Sequence, residues 1–181
     1  MLILLALGGT GCQNVYIQPN DIQTIASPAA RLVGKANIKV ETGEIVSDRF
    51  PAKGFGVEDQ TAFATHLKEE LASSNAFLEI DLNNDAFRDY LINILFHKTV
   101  ASGGGLEGVY LLDVNMQIYD HGQLSLERLY KVVTPQYPLW SFFVDTTIRA
   151  TKARAANELH KRLMQDINGW LLNSSPKNIL Q

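Results

Sequence analysis

An alternation of apolar and polar side chains, strict from Leu112 to Ile118 within the stretch Gly108–Asp120, constrains the fold of this chain more than any other feature. Successive side chains of a strand point to opposite faces of the sheet, so the pattern predicts a strand with one buried and one open face. Asp120-His121-Gly122 predicts a turn, after which Leu124–Val133 is expected to return as the pairing strand. The apolar positions of the first strand are Tyr110, Leu112, Val114, Met116 and Ile118.

Apolar periodicity predicts the other elements. The alternation of Leu32–Val40 predicts a strand, which is expected to end in a turn at Glu41–Glu44. Asp59 is predicted to be the N-cap of a helix that runs to Ser74. A strand is predicted over Phe77–Leu82, another over Leu139–Ile148, and a closing helix over Thr151–Leu172. A second helix is predicted after Phe77–Leu82, with Asp85 as its cap and Gly103–Gly105 at its end. Its buried stripe would consist of Phe87, Leu91, Ile94 and Leu95. This order predicts an α+β two-layer sandwich, in which helices pack on one face of a mainly antiparallel sheet.

The first twelve residues constrain the location of the chain rather than its fold. Met1–Leu7 is an uninterrupted apolar run, and Gly8–Gly11 places small residues directly before Cys12, the single cysteine. The run is too short to cross a bilayer, which takes about twenty residues, but it matches the hydrophobic region of a secretory signal peptide. A signal peptide cut just before a cysteine is the bacterial lipoprotein arrangement. Cys12 is therefore predicted to be lipidated and to anchor the chain in a membrane.

Two features depart from the usual lipoprotein signal. Gly9 stands three positions before the cysteine, where leucine is usual, and no basic residue precedes the apolar run. The alternative is that Met1–Leu7 forms a buried strand and Cys12 is an inert core thiol. The glycines between them would interrupt such a strand, which favours the lipidation hypothesis.

These patterns divide the chain into three parts. Residues 1–11 are predicted to be the signal peptide, residues 12–30 a tether, and residues 31–181 a single α+β domain. Gln13 follows the cysteine, at a position where aspartate favours inner-membrane retention in enterobacterial lipoproteins. We therefore expect the protein at the periplasmic face of the outer membrane, with the membrane as its partner through the lipid anchor.

The charge balance argues against a nucleic-acid partner. The formal net charge is −3 and the pI is about 5.8, whereas nucleic-acid-binding domains usually carry a basic surplus. Arg149, Lys152 and Arg154 form a basic cluster where the closing helix is expected to begin. This cluster is interpreted as a solvated helix face.

The polar residues suggest no catalytic or metal site. His66 and Glu70 would share one helix face, but no third ligand has a recognisable spacing, so the pair is interpreted as an exposed polar face. The other histidines receive structural interpretations, as a helix-dipole partner (His97), a turn residue (His121) and a polar helix residue (His160). The chain has no GxSxG motif and no P-loop lysine after Gly103–Gly105, so we expect no enzymatic activity and no cofactor.

Aromatic residues are concentrated around the predicted strand Leu139–Ile148. Core packing is the first interpretation of this cluster. The alternative is a surface for a partner protein, because aromatic side chains are enriched at such interfaces. The residues of this possible partner surface are Trp140, Phe142 and Phe143.

Three stretches together resemble a group of small, mostly uncharacterised proteobacterial envelope lipoproteins. They are Phe50–Phe77, the strand Tyr110–Val114, and the helical ending Arg149–Leu171. The resemblance implies an envelope location, one α/β domain and binding of a partner protein, and it supplies no active site.

Two functions remain open at this point. The first is a non-enzymatic, membrane-anchored lipoprotein that binds another envelope component through its sheet or its aromatic strand. The second is a carrier or binder of a small apolar ligand or lipid. A pocket with convergent polar groups would favour the carrier, and an exposed apolar patch would favour partner binding.

Overall fold

A computed structural model describes residues 15–25, 30–47, 54–84, 88–104, 107–134, 137–138 and 144–175. A single 3-10 turn, Pro19–Asp21, precedes the regular elements of these ranges. The strands and helices are β1 (Lys35–Ser47), α1 (Val57–Ser73), β2 (Glu79–Leu82), β3 (Tyr90–Gly104), β4 (Glu107–Asp120), β5 (Gln123–Val133), β6 (Tyr137–Pro138) and α2 (Val144–Ser174).

The sheet has the strand order β2-β1-β3-β4-β5, and the short β6 pairs with β4. β3, β4 and β5 form an antiparallel meander, whereas β1 runs parallel to both β2 and β3. α1 packs on β1 and β2, and α2 packs on β4 and β5. The predicted α+β class is confirmed. The sheet is mixed because the chain passes from β1 to β2 through α1, and such a crossover makes the two strands parallel.

The core lies between the helices and one face of the sheet. All five apolar positions predicted for β4 are buried, and four of them, Leu112, Val114, Met116 and Ile118, are fully so. The neighbouring strand β3 contributes Tyr90, Ile92, Ile94 and Phe96 to the same layer. The helix residues packed over them include Phe63, Leu67, Leu71, Leu159, Leu163 and Ile167.

The turn between β4 and β5 is also confirmed. His121 and Gly122 have φ angles of 48° and 81°. Two consecutive positive φ angles characterise the type I′ turn, whose twist suits a two-residue hairpin. This turn sets β5 beside β4 as the sequence predicts.

The predicted second helix is wrong, because the residues assigned to it form strand β3. Its predicted cap, Asp85, lies outside the described residues. Leu91, Ile94 and Leu95 have helical spacing, but only Ile94 is fully buried, while both leucines lie on the opposite side of the strand and are half-buried. Burial in β3 therefore follows the alternation of a strand and not the spacing of a helix. His97 was predicted at a helix end, and the structure places it instead at an exposed position of this strand.

The predicted turn at Glu41–Glu44 is wrong as well, since β1 continues to Ser47. At Gly43 the backbones of β1 and β3 lie unusually close together. A Cβ atom there would lie 2.5 Å from the carbonyl oxygen of His97 and 2.7 Å from that of Phe96. His97 is the extra residue of a β-bulge between β3 and β4. The bulge brings the backbone of β3 close to Gly43 of β1, where only a residue without a side chain leaves enough room.

Both helices begin earlier than predicted. Gly56 is the N-cap of α1, and Asp59 lies inside the first turn, where its carboxylate accepts the Gly56 N–H at 3.0 Å. α2 begins at Val144, so the C-terminal part of the predicted strand Leu139–Ile148 is helical. Residues 139–143 lie outside the described residues.

Candidate functional site

Residues 15–25, called here the N-terminal segment, pack over α1 and α2. Ile17 and Ile22 are buried in the core, with exposed fractions of 1% and 4%. This differs from the tether expected over residues 12–30, because the segment donates backbone N–H groups to side chains of the helices. Its polar contacts are Ile17 N–H to Asp59 Oδ1 (2.9 Å), Gln23 N–H to Asn157 Oδ1 (2.6 Å), Ile25 N–H to Glu70 Oε1 (3.0 Å), and Arg149 Nε to Asp21 Oδ2 (2.8 Å).

A buried ion pair links the two helices beneath this segment. Lys152 Nζ lies 2.8 Å from Asp59 Oδ2, and neither side chain is exposed. The ammonium group also lies 5.1 Å from the ring centroid of Tyr16, within cation–π range. The interpretation of the basic cluster as a solvated face is therefore wrong for Lys152. Arg149 is part-buried and pairs with Asp21 of the N-terminal segment.

Burial acts against both charges of this pair. It raises the pKa of Asp59 although Lys152 and two backbone N–H groups favour the carboxylate. It lowers the pKa of Lys152 although Asp59 favours the ammonium form. Each charge therefore depends on the other for its compensation.

Three further ionisable side chains meet about two turns further along both helices. His66 and Glu70 occupy successive turns of α1, and His160 comes from α2. The Nε2 atom of His160 lies 2.8 Å from Glu70 Oε2, and the Nε2 atom of His66 lies 3.4 Å from the same oxygen. The two imidazole rings are in edge contact, with centroids 4.9 Å apart. We call these three residues the His–Glu–His cluster.

The cluster is buried, so the prediction of an exposed polar face at His66 and Glu70 is wrong. The exposed fractions are 7% for His66, 4% for Glu70 and 0% for His160. His160 supplies the third residue that the spacing of His66 and Glu70 did not reveal. Its position on the apolar stripe with Ala156 and Leu163 is the sequence signal that indicates burial.

Burial shifts all three ionisation equilibria toward the neutral forms. It lowers the pKa of His160 to about 4. It also lowers the pKa of His66, with a further contribution from His160, and it raises the pKa of Glu70. At neutral pH both imidazoles are therefore uncharged and can each offer a nitrogen lone pair.

The cluster borders a cleft of about 390 Å³ between α1 and the N-terminal segment. Its wall includes His66 and Glu70 from the cluster, Glu69 and Ser73 from α1, and Asn20 and Thr24 from the segment. The cleft gives the α1 side of the cluster a route to solvent. Two further clefts, of about 480 and 450 Å³, also lie along the N-terminal segment.

The opposite face of the sheet is covered by no helix of the described ranges. Its side chains mix polar and apolar residues, and Leu129 and Val133 of β5 are 72% and 57% exposed. We call this surface the helix-free face and define it by the positions that point away from the helices: Leu91, Asn93, Leu95, Asn115, Gln117, Leu129 and Val133. Leu129 and Val133 are exposed, Asn115 is buried and the others are half-buried.

The residues that the sequence analysis assigned to lipidation and to a partner surface lie outside the described residues. These are Cys12, Trp140, Phe142 and Phe143. Their assigned roles stay predictions. Within the described ranges, neither helix combines the length and the apolar character that a membrane span requires.

No protein-family model matches the chain, and no curated protein matches it significantly. Solved structures do share its architecture. A protein of the DUF330 family from Xanthomonas campestris is 13% identical, with a TM-score of 0.56 over 85% of this chain and 95% of that chain. A Helicobacter pylori protein described as a neuraminyllactose-binding hemagglutinin homolog is 8% identical, with a TM-score of 0.55 over 84% and 97%.

A hypothetical protein from Chlamydia trachomatis is similar to the same degree. It is 12% identical to this chain and has a TM-score of 0.53, covering 78% of this chain and 98% of that one. Identities this low establish a common fold and leave binding and activity open. The chain thus shares its α+β fold with these three bacterial proteins.

Proposed function

We propose that this chain is a lipid-anchored lipoprotein of the bacterial cell envelope, with a non-enzymatic role as a partner-binding or accessory protein. The sequence Met1–Cys12 carries the lipid anchor of this proposal, and the docking of Ile17 on Asp59, five residues after Cys12, sets how closely that anchor would hold the domain. Five extended residues reach about 17 Å. A lipid on Cys12 would therefore hold the domain close to the bilayer in a restricted orientation rather than on a long tether.

The position of the N-terminal segment also supports a partner surface. Because the segment packs over α1 and α2, the anchor attaches on the helix side of the sheet. The helix-free face lies on the other side, where no helix of the described ranges covers it, and we propose that it meets an envelope partner. Its exposed Leu129 and Val133 among polar neighbours give the mixed composition that is typical of non-obligate interfaces.

One cleft along the N-terminal segment has a lining that argues against transport of an apolar ligand. The cleft beside Asn157 is lined by Arg154, Glu158 and Lys161, which are charged. Ligand sites for apolar molecules are lined mainly by apolar and aromatic side chains. Charged walls of this kind do not suit a lipid chain.

Acyl labelling of cells tests the anchor. The wild-type chain is expected to incorporate an alkynyl fatty acid and to sediment with the outer membrane, and Cys12→Ser should lose both properties. Cys12 is the only cysteine, so the label reports on one site. Asn14→Ala is the matched control and should remain labelled. Absence of label from the wild-type chain, with the protein in the cytosol, would refute the anchor.

Site-specific photo-crosslinking tests the partner surface. A photoreactive residue at Gln117 on the helix-free face is expected to give one defined adduct in membranes, and Leu129→Arg should abolish that adduct without lowering the melting temperature. Leu78→Arg provides the control, because Leu78 is 56% exposed and precedes the edge strand β2. The surface is not a binding site if no adduct forms or if both arginine variants reduce it equally.

A further inference from the structure

We propose that His66, Glu70 and His160 form a binding site for a divalent transition-metal ion, and that Zn²⁺ is the ion that best fits this ligand set. The proposal concerns the interface between α1 and α2 and does not depend on lipidation of Cys12. One ligand atom from each residue lies within 4.8 Å of the others. Two imidazoles and one carboxylate are also the three protein ligands of one common class of zinc site.

The distances from the two imidazoles to Glu70 can be compared with those of a bound ion. Ligand atoms about 2.0–2.2 Å from a tetrahedral centre are separated by about 3.3–3.6 Å. The 3.4 Å between His66 Nε2 and Glu70 Oε2 already matches this separation. The 2.8 Å between His160 Nε2 and the same oxygen is that of a hydrogen bond, so it would open by about half an ångström when a metal ion replaces the shared proton.

Hydrogen bonding alone leaves the cluster incomplete. The Nε2–H group of His160 can donate to Glu70 Oε2, but His66 Nε2 faces the same oxygen without a hydrogen-bond partner among the described residues. A buried polar atom without a partner is rare in native proteins and calls for a missing ion or water. A metal ion would engage both nitrogens and the oxygen together.

Glu70 is already oriented as a ligand. Its Oε1 atom accepts the backbone N–H of Ile25 at 3.0 Å, which leaves Oε2 directed toward the two imidazoles. Hydrogen bonds of this kind fix the orientation of metal-binding carboxylates. The N-terminal segment thus supports the proposed site from outside.

The site also has an entry path and an open coordination position. The cleft along α1 reaches His66 and Glu70, so an ion could enter there and keep a water molecule as its fourth ligand. Nitrogen donors disfavour Mg²⁺ and Ca²⁺, which prefer oxygen ligands, and the absence of a thiolate disfavours Cu⁺.

Co²⁺ titration of the purified full chain tests the proposal, because four-coordinate Co²⁺ has a strong visible absorption. All proteins carry Cys12→Ser, which removes the only thiol that could compete. We expect one Co²⁺ per chain with a four-coordinate spectrum and its displacement by one Zn²⁺. Loss of an outer hydrogen bond alone typically weakens metal binding 10–100-fold, so His66→Gln and His160→Gln should each weaken it by at least about 100-fold.

His97→Gln is the matched control, because His97 is an exposed histidine on β3 and is not one of the proposed ligands. Circular dichroism is used to check that each variant is folded. If His160→Gln does not fold, the Co²⁺ absorption spectrum of the protein with the intact His–Glu–His cluster decides whether the cluster binds a metal ion. The proposal is overturned if the cluster gives no four-coordinate Co²⁺ spectrum, if Zn²⁺ binds more weakly than about 100 μM, or if His97→Gln reduces affinity as much as His66→Gln.

Discussion

Substitution of Lys152 by methionine isolates the energetic role of the buried ion pair. Methionine keeps most of the apolar stem of lysine and removes its charge. Asp59 would retain the N–H groups of Ile17 and Gly56, at 2.9 and 3.0 Å, but lose the only cation described within hydrogen-bond distance. Removing one partner of a buried pair typically costs 3–5 kcal/mol of unfolding free energy. Because two donors remain, we expect a loss of about 3 kcal/mol.

Urea unfolding at pH 7 measures this loss. With a denaturant dependence of about 2 kcal/mol per molar urea, the midpoint should fall by about 1.5 M. The double variant Asp59→Asn/Lys152→Met removes both charges and should recover at least half of the loss, since no buried charge then lacks its counterion. The reasoning is refuted if Lys152→Met costs less than about 1 kcal/mol, or if the two single losses simply add in the double variant.

Three further predictions concern separate parts of the molecule. Ile94→Ala should cost about 2–5 kcal/mol in urea unfolding because Ile94 is fully buried in β3, and Leu95→Ala, on the helix-free face, should cost less than half as much; equal costs would contradict the strand assignment. Gly43→Val should lower the melting temperature, because a Cβ atom at this position meets two backbone oxygens. Gly169→Ala is the control and should not lower it, because the space around its Cβ position is open. An unchanged melting temperature for Gly43→Val would refute the close approach of β1 and β3. Burial raises the pKa of Asp21, but the hydrogen bond from Arg149, the backbone N–H of Gln18 and the charge of Arg149 together hold that pKa below its usual value. The stability that Asp21 contributes is therefore present above about pH 4 and is lost as the pH falls through the folded-state pKa. Arg149→Met should flatten the acid limb of the stability–pH curve in part, and an unchanged limb would exclude the Asp21–Arg149 pair as a source of it.

The hairpin of β4 and β5 could be predicted from sequence because local rules determine it. The alternation of Tyr110 to Ile118 has one period only, and His121-Gly122 can adopt the positive φ angles that a two-residue hairpin requires. The apolar faces of α1 and α2 were predictable for the same reason. Their buried residues repeat at helical spacing, as Phe63, Leu67 and Leu71 do.

Strand β3 could not be assigned in this way because its sequence satisfies two periods at once. Leu91, Ile94 and Leu95 form a helical stripe, whereas Tyr90, Ile92, Ile94 and Phe96 alternate. The neighbouring strands resolve the ambiguity, since β1 and β4 offer an open hydrogen-bonding edge on each side of β3. That information lies about twenty to fifty residues away and is absent from any local window.

The buried polar residues escaped prediction for a related reason, and they explain why the N-terminal segment is not a free tether. Asp59 was expected as a helix N-cap and Glu70 on an exposed polar face, because carboxylates are almost never buried without partners. Their partners come from distant parts of the chain, Lys152 and His160 from α2, and backbone N–H groups from Ile17 and Ile25. If the segment left the helices, both carboxylates would lose a donor while still covered by α2. Residues close to Cys12 are therefore part of the folded unit, so a lipid on that cysteine would anchor a surface of the domain rather than the end of a flexible linker.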